Sequence, residues 1–151
     1  MESICPECGA ALPEGVTCRD HFEQMLYWEA ENSANWAVHH LMVLCYHVQH
    51  PSLYSPEMLN GGMELLADFV EHGITTEQVR KRDRDKVDSG KRTWKIKGTP
   101  ESHGVYKHPI AWPMTAADVI GAGEPNYCES VRVWARSMMD ALRASGNFPA
   151  E

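Results

Sequence analysis

Cysteine and histidine carry the widest chemical reach in this 151-residue chain, which has five of the first and eight of the second. Cys5-Pro-Glu-Cys8-Gly has the C-x2-C-G spacing of a zinc-knuckle turn, in which glycine lets the backbone fold its amides toward two thiolates. Cys18 follows across a loop holding Pro13 and Gly15 and brings a third thiol within reach. Trp36 to Pro51 then places His39, His40, His47 and His50 on one helical stretch. Thiolates and imidazole together favour zinc. A redox C-x-x-C is the competing reading, but such motifs open a helix after a strand, and no strand is legible before Cys5.

Geometry selects the fourth ligand. Phe22, Met25, Leu26 and Ala30 recur at helical spacing from Cys18 to about Asn32, with Thr17 or Asp20 to cap the start. Asn32-Ser-Ala-Asn reads as a tight connection, and Trp36 opens the next helix. Helices joined so closely are antiparallel neighbours, so the end of the second lies beside Cys18. At about 1.5 Å of rise per residue, His39 and His40 stand roughly 15 Å from His50 and cannot share its ion. His50 precedes Pro51, where the chain must leave the helix. The expected zinc ligands are therefore Cys5, Cys8, Cys18 and His50, with His47 and His21 in reserve. Three thiolates and one imidazole close a tetrahedron, so the zinc is expected to be structural. A nucleophile built from Cys18 and His21 competes for the same thiol.

The sequence C-P-E-C-G-A, the C-x-x-x-F spacing from Cys18 to Phe22, Glu29 and the pattern H-x-x-V-x-x-Y-x-x-Q-H-P from His40 to Pro51 resemble a bacterial family of small proteins classified as a domain of unknown function. The likeness extends to Val131–Ser137 and so covers most of the chain. Leu44 departs from it, since the family often has aspartate there. The resemblance implies a shared fold and metal knuckle and brings no activity with it.

A second constellation is possible inside the helices. Glu29, near the end of the first helix, should face His39 or His40. With His40, Glu29 and a third ligand from His72, His103 or His108, a bundle can hold a catalytic metal with an open position for water. Such a site would resemble the DinB-like metal-dependent bundle enzymes, hydrolases or transferases, although their full histidine pattern is not visible. The plainer reading is a buried Glu-His pair that stabilises helix packing. Neither a Walker-type phosphate loop nor a G-x-G-x-x-G or G-x-S-x-G motif occurs.

The remaining sequence supplies the scaffold. Ser55-Pro-Glu starts a third helix with a stripe of Leu59, Met63, Leu66 and Val70, ending at His72-Gly73. Gly61-Gly62 within it points to close packing against a neighbour. Thr75 to Gln78 has capping-box spacing and opens a short fourth helix, Thr115 to Asp118 repeats it, and so does Asn126 to Glu129. Val131, Trp134, Met138 and Leu142 form the stripe of a final helix that stops at Gly146. Thr93 to Lys97 alternates as a short extended segment, and the aperiodic residues 98–113, with His103, Tyr106, His108 and Trp112, are the best candidate for a lid. Cys45 and Cys128 have no partner spacing and read as core residues.

At 43% hydrophobic and 23% charged, the composition is that of a globular protein large enough for a real core. The expected fold is mainly α, a bundle-like single domain over residues 1–151, with a knuckle segment 1–18 packed on helices 18–50. The N-terminus lacks a signal-peptide pattern and no apolar run is long enough to cross a membrane, so the expected location is cytoplasmic. A net charge of -7 disfavours nucleic acid held over the whole surface. The basic stretch 80–92 interleaves its lysines and arginines with Asp83, Asp85 and Asp88 and reads as a solvated, self-paired helix end. A protein partner or a small molecule remains the open choice.

Overall fold

The structure, a computed structural model, describes residues 2–89 and 96–149, and for 83–89 the backbone alone. Two short strands, β1 (Ser3–Ile4) and β2 (Ala11–Leu12), pair antiparallel with Ser3 opposite Leu12 and Ile4 opposite Ala11. Six α-helices follow among the described residues: α1 (Cys18–Glu31), α2 (His39–Gln49), α3 (Pro56–His72), α4 (Thr76–Ser89), α5 (Ala116–Ala122) and α6 (Tyr127–Ala144). The expected mainly α, bundle-like architecture is thus present, with its N-terminal knuckle and its irregular loop. No helix among the described residues is long and apolar enough to cross a membrane.

Local chemistry sets the helix starts. Thr17 and Asp20 form a reciprocal capping box, in which the Asp20 amide donates to the Thr17 hydroxyl and the Thr17 amide to the Asp20 carboxylate. Ser55 accepts from the Met58 amide ahead of Pro56, and Thr75 and Gln78 exchange the same pair of bonds. Asp118 accepts from the Thr115 amide. Asn126 differs from its expected role, because its side chain donates back to the Ala122 carbonyl and leaves the start of α6 uncapped. The fourth helix is also longer than expected and reaches Ser89. Of the stretch 80–92, residues 90–92 and the side chains from 83 onward lie outside the described residues, as does most of the segment 93–97, although Lys97 does bridge to Tyr54.

α6 is the central element. Val131, Trp134, Met138 and Leu142 are fully buried on one stripe, and they meet Met25 of α1, Met42 and Val48 of α2 and Leu66 of α3 in one apolar cluster. The connection after α1 is a 3-10 turn, Ser33–Val38, so α2 begins at His39 and not at Trp36. Phe22 lies against Tyr46 with ring centroids 4.5 Å apart, which places the end of α2 beside the start of α1 as expected. Gly62 gives the close approach of α3 to α2, since a Cβ there would lie 3.2 Å from Tyr54 and 3.4 Å from Leu44. Ala30 is exposed and the buried position of that turn belongs to Glu29.

The 98–113 segment is anchored where a lid would be free. Gly98 donates to the Leu53 carbonyl and Gly104 to the Tyr54 carbonyl. The Tyr106 hydroxyl donates to Val48 at the end of α2, and His108 exchanges bonds with Asn147. A Cβ on Gly104 would stand 2.8 Å from the Leu59 side chain and 3.1 Å from the Pro51 carbonyl. Gly104→Ala should therefore push the segment off α3 and cost about 1–3 kcal/mol of stability in a denaturant titration; an unchanged midpoint would contradict this packing.

Tyr54, Tyr106 and Tyr127 each have a hydroxyl raised above its ordinary value, chiefly by burial, with Glu29 adding to the effect on Tyr127. Above about pH 10 the unfolded chain releases these protons while the folded chain keeps them. Stability should accordingly be intact below that pH and fall above it, by about 1.4 kcal/mol per pH unit for each tyrosine. Urea titrations between neutral and strongly alkaline pH measure the slope.

Candidate metal centre

The cysteine knuckle is the turn of the β1–β2 hairpin. Cys5 closes it by donating its amide to the Ala10 carbonyl at 3.0 Å and accepting from the Gly9 amide at 2.9 Å. Gly9 takes φ +80, a left-handed conformation that a side chain would oppose. The Cys8 amide points at Cys5 Sγ, 3.5 Å away, as the knuckle geometry requires. A strand does precede Cys5, contrary to the sequence reading, but it is two residues long and the motif sits in a hairpin rather than at a helix start.

Cys18 is the first residue of α1 and His50 the C-cap of α2. Because the two helices run antiparallel, both ends reach the knuckle. Cys8 Sγ lies 3.6 Å from Cys18 Sγ, and Cys5 Sγ lies 3.6 Å from His50 Nε2. All four ligand atoms fall within 4.8 Å of one another and all four residues are buried. A tetrahedral zinc ion with its usual bond lengths separates two sulfurs by about 3.8 Å and a sulfur from a nitrogen by about 3.6 Å, so this spacing fits such an ion.

Outer contacts hold these groups in place. His50 Nδ1 donates to the Tyr46 carbonyl at 2.6 Å, which turns Nε2 toward Cys5. Glu7, between the two knuckle cysteines, accepts from both the amide and the hydroxyl of Ser52 at 3.0 Å each, clasping the hairpin to the turn after α2. The charge states respond to the crowding. Cys8 is held well below the ordinary thiol range, first by its hydrogen bond with Cys18 and then, against burial, by His50. Cys18 moves the opposite way through that same bond and through burial. His50 is raised to about 9, because bonds to Cys8 and to the Tyr46 carbonyl outweigh the burial that opposes its charge. A divalent cation could replace the protons these groups share.

The family model described as a family of unknown function, DUF5946, matches residues 3–143. The chain belongs to the DUF5946 family. Cys5, Cys8, Cys18 and His50 all fall within the matched residues. No match to the chain is found among curated proteins or among solved structures.

Elsewhere in this DUF5946 chain the histidines have other positions. His47 donates to the Val43 carbonyl at 2.8 Å and stacks on Tyr54, with centroids 4.9 Å apart. It faces away from the role of reserve ligand, and burial lowers its pKa. His21 is half-buried on α1 and also lies outside the ligand group. Of the two histidines expected to face Glu29, His39 is the one that does, Nδ1 to Oε1 at 2.6 Å, as the residue that follows the 3-10 turn. The other Glu29 oxygen accepts from the Tyr127 hydroxyl, and Trp36 stacks on His39 with centroids 3.9 Å apart. His40 lines a cavity of about 430 Å³ with His39, Glu64 and Asp68. His72 bonds Asp68, His103 the Gly104 carbonyl, and His108 packs near Gly146. Among the described residues, the cysteine cluster is the one group of three or more potential ligands close enough to share an ion.

Glu7 and Tyr127 were not singled out in the sequence. For Glu29 a signal existed, since Cys18, Phe22, Met25 and Glu29 repeat at core spacing and a glutamate in that register must find partners. Cys45 is fully buried as expected, while Cys128 is only half-buried and donates to the Ala34 carbonyl at 3.6 Å.

Proposed function

We propose that Cys5, Cys8, Cys18 and His50 hold one zinc ion, that the ion is structural, and that the protein is a zinc-stabilised binding or scaffold protein. The supporting observation is the mutual spacing of four buried ligand atoms, all within 4.8 Å of one another. Three thiolates and an imidazole fill the tetrahedron and exclude the open position that catalytic zinc keeps for water. The ion joins the knuckle segment 1–18 to the facing ends of α1 and α2 within one domain covering the chain.

Elemental analysis of the purified chain should give one zinc per protein. X-ray absorption should fit three sulfurs at about 2.3 Å and one nitrogen at about 2.0–2.1 Å. Protein free of zinc, or zinc bound through oxygen, would overturn the proposal. A second ion, lost on mild chelation without unfolding, would instead favour a metal-dependent hydrolase or transferase centred on Glu29 and His40.

A further inference from the structure

A cavity of about 730 Å³ opens between the Ser33–Val38 turn, α3, the start of α4 and α6, and shares no residue with the cysteine cluster. Trp36, Leu41, Phe69, Val70 and Ile74 supply its apolar lining. Trp36 is 40% exposed, and Phe69, Val70 and Ile74 are half-buried, so the apolar surface is left open to the cavity. Arg80, Arg132 and Arg136 supply its charge, with Glu77 as the one acid.

The pairing of the arginines marks the site. Of the six whose side chains are described, Arg19 pairs with Glu23, Arg82 with Asp68 and Arg143 with Glu71. The other three are the ones that line the cavity, and none has an ion pair or hydrogen bond among the described residues. In a chain of net charge -7, where acids outnumber bases, three guanidiniums lining one cavity with a single acid, Glu77, and no ion pair among the described residues stand out from the rest of the surface. Arg132 and Arg136 stand one turn apart on the same face of α6, and Arg80 comes from α4. The planar fork of arginine suits two-point binding of carboxylate or phosphate.

We infer that this cavity binds a small organic anion, with an acyl or aryl body on the apolar lining and a carboxylate or phosphate head on Arg80, Arg132 and Arg136. Its size lies within the range of about 300–1,000 Å³ common for small-molecule sites. Concavity favours such a molecule over a protein surface, which needs a broader and flatter patch. The inference does not depend on the zinc reading, because its residues and its test are separate.

Calorimetric titration of the full, metal-loaded chain with decanoate and decyl phosphate, each below micelle formation, tests it. Both should bind saturably at one per chain. Decanol, with the same body and no charge, should bind weaker by about ten-fold or more, the effect of losing a charge-assisted hydrogen bond. The double variant Arg132→Gln, Arg136→Gln should weaken both anions by a similar factor and leave decanol and the melting temperature unchanged; these residues are exposed, so folding is not at stake. Equal binding of decanol and decanoate, unchanged anion affinity in the double variant, or no saturable binding at millimolar concentration overturns the inference. An acidic amphipathic peptide that binds where neither decyl anion does would assign the face to a protein partner and overturn it equally.

Discussion

A Cys8→Ser protein is expected to emerge from purification without bound metal and to melt about 10 °C below the wild-type chain. A serine hydroxyl does not replace a thiolate on zinc, and the three remaining ligands leave the tetrahedron open. The hairpin carrying the knuckle has little else to hold it. Its strands are two residues each, far below the length at which a hairpin is stable alone, and beyond the cysteines its buried apolar residues are Ala10 and Leu12. A ligand present at about 1,000 times its dissociation constant stabilises the folded state by about 4 kcal/mol. For a domain of this size that corresponds to the stated shift in melting temperature. The core of α2, α3 and α6 does not involve the ion, so the variant should keep its helical circular dichroism. Treating wild-type protein with a strong chelator should reproduce the lower melting temperature and leave the variant unaffected. Cys45→Ala offers the contrast: it removes a fully buried core thiol away from the cluster and should lower stability at full metal content. Wild-type protein whose melting is indifferent to chelation would refute this account.

The parts of the molecule that were legible are those whose signal is local. A knuckle spacing, a cap three residues from its partner, and an apolar stripe on α3 or α6 are each written within one turn or one helix, and apart from the Asn126 cap each stands where the sequence placed it. His50 was reachable because one further inference, antiparallel helices across a short connection, carried it to Cys18. What depended on a finer angle stayed open. His39 and His40 were equal alternatives for the residue facing Glu29, and the 3-10 turn to Val38 gives that place to His39; a change of one residue rotates a helical side chain by about 100°. Glu7 gave no signal in the sequence because its partner, Ser52, lies 45 residues away. Strands of two residues have no periodicity to detect. The arginine-lined cavity joins segments from Trp36 to Arg136, and no window of sequence contains it.

Glu29→Ala is expected to cost about 2–5 kcal/mol, since it removes the shared acceptor of two buried hydrogen bonds and leaves both partners unsatisfied. Glu29 is 2% exposed, and its two oxygens tie α1 to His39 at the start of α2 and to Tyr127 at the start of α6. Truncation would leave the tyrosine hydroxyl and the imidazole facing an apolar gap, and the desolvation already incurred by both would go uncompensated. Glu29→Gln should lose less, since its amide oxygen can still accept one of the two bonds. A double-mutant cycle with Tyr127→Phe should give a coupling of about 0.5–3 kcal/mol, because the single changes delete the same contact. Metal content should stay at the wild-type value in every variant, which separates this network from the cysteine cluster. The sign of the effect also bears on what Glu29 is for. A carboxylate kept for chemistry is commonly held at a cost, and its removal stabilises the protein. A fall in stability on Glu29→Ala would identify the Glu29–His39–Tyr127 group as a packing device, and a rise would return Glu29 to the catalytic reading.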